Sequence, residues 1–180
     1  MKKIKGLLIV ALIITATSAN AQFKFGLGGG VNYANLSGDD VSETSSLIGF
    51  NGGMMMEVKL PVKLGFEADI LFSTKGASFG SSDYKLSYID IPVVMKIYMV
   101  KVLSFQLGGQ YSMLVSGKNA GFDTKDQLNA SDMSAVLGLG VDVLKVHASV
   151  RYNYGLASID NGAADVKNNM VTLSLGLWIK

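Results

Sequence analysis

The stretch Tyr84–Val100, YKLSYIDIPVVMKIYMV, constrains the fold more than any other part of the chain. From Tyr88 onward, Ile89, Ile91, Val93, Met95, Ile97 and Met99 fall on one face of an extended backbone. Tyr88, Asp90, Pro92, Val94, Lys96 and Tyr98 fall on the other. A period of two belongs to a β-strand whose faces meet different surroundings. The face with Asp90 and Lys96 is the wetter one, and the opposite face is apolar throughout.

The alternation recurs in seven further segments: Phe23–Leu36, Leu47–Leu60, Leu64–Gly76, Leu103–Gly117, Ser131–Val143, Val146–Ile159 and Asn169–Lys180. Three short turns, at Pro61-Val62-Lys63, Val100-Lys101-Val102 and Leu144-Lys145, alternate with four longer loops, Ser37–Ser46, Ala77–Asp83, Lys118–Ala130 and Asp160–Asn168. Eight strands of about ten residues or more suffice to cross a tilted bilayer, and an even count leaves both ends on the short-turn side. The spacing therefore predicts an all-β fold, an eight-stranded antiparallel up-and-down transmembrane β-barrel.

The charges indicate which face is outside. Lys24, Glu57, Lys59, Glu67, Asp69, Lys75, Asp90, Lys96, Asp132, Asp142, Arg151 and Lys180 all fall on the polar faces. A basic residue facing lipid at mid-bilayer costs about 2–4 kcal/mol, which is reason to turn charges inward. A soluble lipocalin-like barrel would reverse the arrangement, with a greasy lumen and a charged exterior. The polar faces here are instead poor in charge and rich in Gly, Ser, Asn and Gln, unlike a water-exposed surface. The apolar faces hold Phe23, Phe25, Phe66 and Phe105 towards the turns and Tyr33, Phe50, Phe72, Tyr111 and Tyr154 towards the loops. Two aromatic girdles fit two lipid interfaces.

Residues 1–21 read as a signal peptide. Lys2–Lys5 form a charged start, Leu7–Ile14 an apolar run too short to span a bilayer, and Ala19-Asn20-Ala21 a small-x-small cleavage site. Residues 22–180 are then the barrel. Of sixteen basic residues, Lys2, Lys3 and Lys5 lie in the leader, leaving thirteen against fourteen acidic ones, so no excess of positive charge points to nucleic acid. There is no cysteine, which removes disulfides and thiolate metal sites.

An eight-stranded barrel has little more interior than its own side chains fill, so inward charges must pair to offset desolvation. Glu57, Lys59, Glu67, Asp69, Lys96, Asp142 and Arg151 form the candidate lumen ion-pair network. Pairing Leu60 with Leu64 sets Glu57 opposite Glu67, which calls for a cation nearby, and Glu67 and Arg151 are expected in one cluster. Asp142, His147 and Ser149 suggest a hydrolase triad, but residues two apart on one face do not assure a nucleophile–base bond, and no catalytic residue, cofactor or metal site is assigned. The run Gly26–Gly30 lacks the glycine spacing and following helix of a dinucleotide site and reads as lumen crowding and curvature. Pro92, inside a strand, is expected to mark a local bulge. Asn35-Leu36-Ser37 and Asn129-Ala130-Ser131 match the glycosylation sequon only formally.

Four segments, FGLGGGVNYANLSG (Phe25–Gly38), GFEADILFSTKGAS (Gly65–Ser78), LSYIDIPVVMKIY (Leu86–Tyr98) and SVRYNYGLASI (Ser149–Ile159), resemble the small porin-like outer-membrane β-barrel family of Gram-negative bacteria. The resemblance implies a barrel in outer-membrane lipid, inserted by the outer-membrane assembly machinery. It includes relatives that are surface antigens or accessories to secretion. The end Leu177-Trp178-Ile179-Lys180 departs from the family's terminal aromatic. The function expected is a structural or surface-interaction role through the loops, with no surface partner named; the alternative is a narrow channel for ions or small solutes.

Overall fold

The computed structural model describes residues 22–37, 45–79, 82–119, 122–123, 129–156 and 167–179. The leader and its cleavage site lie outside them. Within them run β1 (Gln22–Ser37), β2 (Ser45–Lys59), β3 (Leu64–Phe79), β4 (Ser82–Tyr98), β5 (Leu103–Asn119), β6 (Phe122–Asp123), β7 (Ser131–Val143), β8 (Val146–Gly155) and β9 (Lys167–Trp178). Each long strand pairs antiparallel with the next, β9 closes on β1, and β4 pairs with β5, so eight strands form a closed barrel. The two-residue β6 only extends the edge of β5 beyond the wall.

The apolar faces point outward and the polar ones inward. Leu137, Leu173 and Phe72 are about half exposed, whereas Glu57, Lys96 and His147 are fully buried in the lumen. Both aromatic girdles stand on the outer wall, Phe23 and Phe66 near the turns and Tyr33, Phe50, Phe72, Tyr111 and Tyr154 towards the loops. Trp178 points inward and is buried.

Three details differ from the reading of the sequence. The β3–β4 register is the same on both sides of Pro92, so there is no bulge there; Pro92 lacks the N–H, and the ladder omits the pairing of Asp69 and Ile70 with Ile91 and Pro92. The bulge in β4 and β5 lies at Ser87/Tyr88 and turns Gly117, not Ser116, inward. Ala77–Phe79 and Ser82–Asp83, read from their small polar residues as loop, continue the β3–β4 hairpin. The same holds for Lys118 and Asn119, which pair with Lys85 and Tyr84. Residues 157–159, expected in the seventh long strand, lie outside the described residues.

Glycines on β1 and β9 leave space for a methionine. Gly28 and Gly176 are paired, and both look onto the buried Met55. A Cβ on Gly176 would stand 2.6 Å from Met55 Sδ and 3.1 Å from its Cε. Gly176→Val is expected to cost about 1–3 kcal/mol through overpacking. Met55→Ala should relieve part of that loss, a coupling that urea titrations of the two single variants and the double variant would measure. Strictly additive losses would rule the contact out.

Candidate functional site in the barrel lumen

The lumen charges gather towards the short-turn end because the register brings their strands together there. Glu57 and Glu67 are Cα partners on β2 and β3, and Asp142 and His147 on β7 and β8. Like charges placed directly opposite repel, so the carboxylate pair needs a cation from elsewhere. Lys96 on β4 supplies it. Its Nζ lies 2.9 Å from Glu57 Oε2, 2.9 Å from Glu67 Oε2 and 3.1 Å from Asp142 Oδ2. An ammonium has three donors and no acceptor, and three carboxylates take all of them.

Arg151 on β8 holds the far side. Its Nη2 pairs with Glu67, its Nη1 donates to Asp69 Oδ2 at 2.9 Å, and its Nε donates to Gln106 Oε1 at 2.7 Å. Glu67 therefore bridges the two buried cations. Asp142 Oδ1 accepts from Trp178 Nε1 at 3.0 Å and lies 2.9 Å from His147 Nδ1. The Tyr98 hydroxyl reaches both Glu57 and Asp142. Lys59, at the end of β2, is placed differently from the other candidates: its Nζ sits 3.6 Å over the Tyr98 ring. Lys24 stands 3.9 Å from Glu57 at the mouth.

A second cluster lies nearer the loops. Lys75 Nζ donates to Asp90 Oδ1 at 2.9 Å and to Ser112 Oγ at 3.0 Å. Asn32 links Ser73, Asn51 and Thr172 in a neutral network. Tyr88, placed by its parity on the inner face, is buried there, and Leu86, Leu114, Val136 and Met170 are buried on the same side. These four apolar residues share the parity of their polar neighbours on each strand, and that signal was available in the sequence. Reading the inner face by polarity alone missed them, as it missed Met55.

A cavity of about 10 Å³ remains in mid-lumen, lined among others by Asn51, Met55, Asp69, Ser149 and Arg151. Asn51 Oδ1, Asp69 Oδ1 and Ser149 Oγ have no hydrogen-bond partner there. Neither Ser149 Oγ nor His147 Nε2 has a partner, so the two are not bonded and the triad's base and nucleophile are not joined. Among the described residues, no group of three His, Asp or Glu could hold a metal ion.

The family model of the outer membrane protein beta-barrel domain matches residues 16–161. No curated protein matches the sequence. Neisserial surface protein A is similar in structure, with a TM-score of 0.60 and 16% identity over 85% of this chain and 96% of that one. The attachment invasion locus protein Ail of Yersinia pestis, in complex with the heparin analogue sucrose octasulfate, has a TM-score of 0.58 and 15% identity over 88% of this chain and 99% of that one. At such identities the likeness is one of fold.

Proposed function

Because the chain belongs to the outer membrane protein beta-barrel domain family, we propose that it is a non-conducting structural barrel of the bacterial outer membrane that presents its loops outward for surface interaction. It reaches that site by export on residues 1–21 and insertion by the outer-membrane assembly machinery. The observation behind this reading is the bridging of the lumen by Lys96 and Arg151, which together tie β2, β3, β4, β5, β7 and β8 to one another through side chains. The cavity of about 10 Å³ in mid-lumen suits about one water molecule, not a file of them.

The loop segments shape the choice of surface partner. At that end the sequence places Asp39, Asp40, Glu43, Asp83, Asp123, Asp126, Asp160 and Asp165 against Lys85, Lys118, Lys125 and Lys167. A polysulfated ligand such as the one held by Ail would meet net repulsion there. A neutral or cationic surface partner fits better.

Recording in planar bilayers tests the competing reading, a narrow channel. Purified protein is expected to give no steady conductance above the bare membrane. Discrete, ion-selective steps would replace the structural role with transport.

A further inference from the structure

The three short turns share one dipeptide. Each has an apolar residue followed by lysine at its tip: Val62-Lys63, Val100-Lys101 and Leu144-Lys145. All six residues are exposed, and Leu144 is almost fully so at 96%. Lys63 and Leu144 hold left-handed backbone, with φ of 60° and 56°. Glycine or asparagine would fit that conformation with less strain, so turn geometry does not account for the side chains found there.

The tips are held in place. Lys63 O accepts from Tyr98 N at 2.8 Å, Val102 O from Asp142 N at 2.7 Å, and Lys145 O from Trp178 N at 2.7 Å. Each turn is thus tied to a neighbouring strand, and the three ammonium groups are spaced around a fixed rim. Among the described residues, every charge at this end that reaches solvent is a lysine, since Lys24 and Lys59 are half-buried at the mouth and Glu57, Glu67 and Asp142 are buried. The apolar outer wall runs without a break to the same level, through Phe66, Ile97, Met99, Val102, Val143, Val146 and Leu177. In a bilayer, turns this short would keep their tips near the membrane surface, which would put each lysine within reach of headgroups and its apolar neighbour beside the acyl boundary.

We propose that this rim is a binding surface for anionic phospholipid headgroups in the leaflet on the short-turn side. The inference rests on the membrane reading of the barrel. A lysine at a membrane surface selects for anionic lipid, and Lys63, Lys101 and Lys145 are the three with no lumen carboxylate or ring to engage them among the described contacts. The loop segments of the sequence have the opposite balance, with more acidic residues than lysines.

The test is native mass spectrometry of the full mature chain released from bilayers of mixed phosphatidylglycerol and phosphatidylcholine. Wild type should retain phosphatidylglycerol over phosphatidylcholine by about tenfold, and the preference should weaken as salt rises. The variant Lys63→Gln, Lys101→Gln, Lys145→Gln should fall below about twofold, and the same three positions as arginine should keep the enrichment. Equal lipid ratios in wild type and the glutamine variant overturn the proposal. So does lysine-dependent binding of dextran sulfate by the detergent-solubilised protein without any lipid preference, which would make the rim a site for a soluble polyanion. A chain that enters neither phosphatidylglycerol nor phosphatidylcholine bilayers fails at the membrane assignment itself, a result distinct from the other two.

Discussion

Lys96→Met will lower the unfolding free energy of the barrel by about 3–5 kcal/mol, the cost of leaving buried charge without its partner. Lys96 is fully buried, and its three hydrogen-bond partners are all carboxylates, Glu57, Glu67 and Asp142. A methionine fills nearly the same space, so the loss reports charge, not packing. Glu67→Gln removes one acid from the same cluster but leaves Lys96 with Glu57 and Asp142, and Arg151 with Asp69 and Gln106. It should lower heat resistance by less, about 1–3 kcal/mol. Urea titration in micelles, with gel mobility across a temperature series, would rank the two. An unchanged midpoint for Lys96→Met, or a Glu67→Gln loss as large, would contradict this account of the cluster.

The second large effect is expected on the outer wall. Leu137 lies midway along β7, paired with Leu107 and Tyr152, and faces outward at 47% exposure. Leu137→Arg should cost about 2–4 kcal/mol in a bilayer, because a guanidinium there meets acyl chains. On a water-facing wall the same change would stay within about 0.5 kcal/mol. Refolding yield and urea midpoint in lipid vesicles distinguish the two, and a neutral outcome would turn the barrel inside out.

Much of the fold was legible because the strand period is two and every inward charge obeys it. Asp90 and Lys96 on β4 alone divide that strand into a lumen side and a lipid side, and the structure keeps them buried. The short turns were equally readable, since Leu60 N donates to Leu64 O at 2.8 Å and so sets Glu57 against Glu67. What alternation could not supply is curvature. Where β5 bulges beside Tyr88 the parity inverts, and where Pro92 removes a donor the ladder simply omits its rungs. Polarity also misled over loop limits, because Ala77, Ser78 and Ser82 extend a hairpin whose ladder satisfies the backbone regardless of side chain.

Within the lumen, side-chain reach decided what parity could not. Lys59 shares the inner face with Glu57, yet its position at the strand end lets it swing onto Tyr98. Arg151 is separated from Glu67 by 84 residues and still meets it, because only closure of the wall brings β8 across from β3. Nothing local in the sequence fixes that distance.

The opposed carboxylates of the first hairpin also bear on assembly order. Among the first three strands Glu57 and Glu67 have only Lys24, 3.9 Å from Glu57 at the mouth, and the cations that hydrogen-bond them come from strands 29 and 84 residues beyond Glu67. Early strands on their own are electrostatically incomplete, so a half-finished wall gains little by waiting for the rest. Both carboxylates are compensated only once β4 and β8 are in place, so the later strands complete the first hairpin.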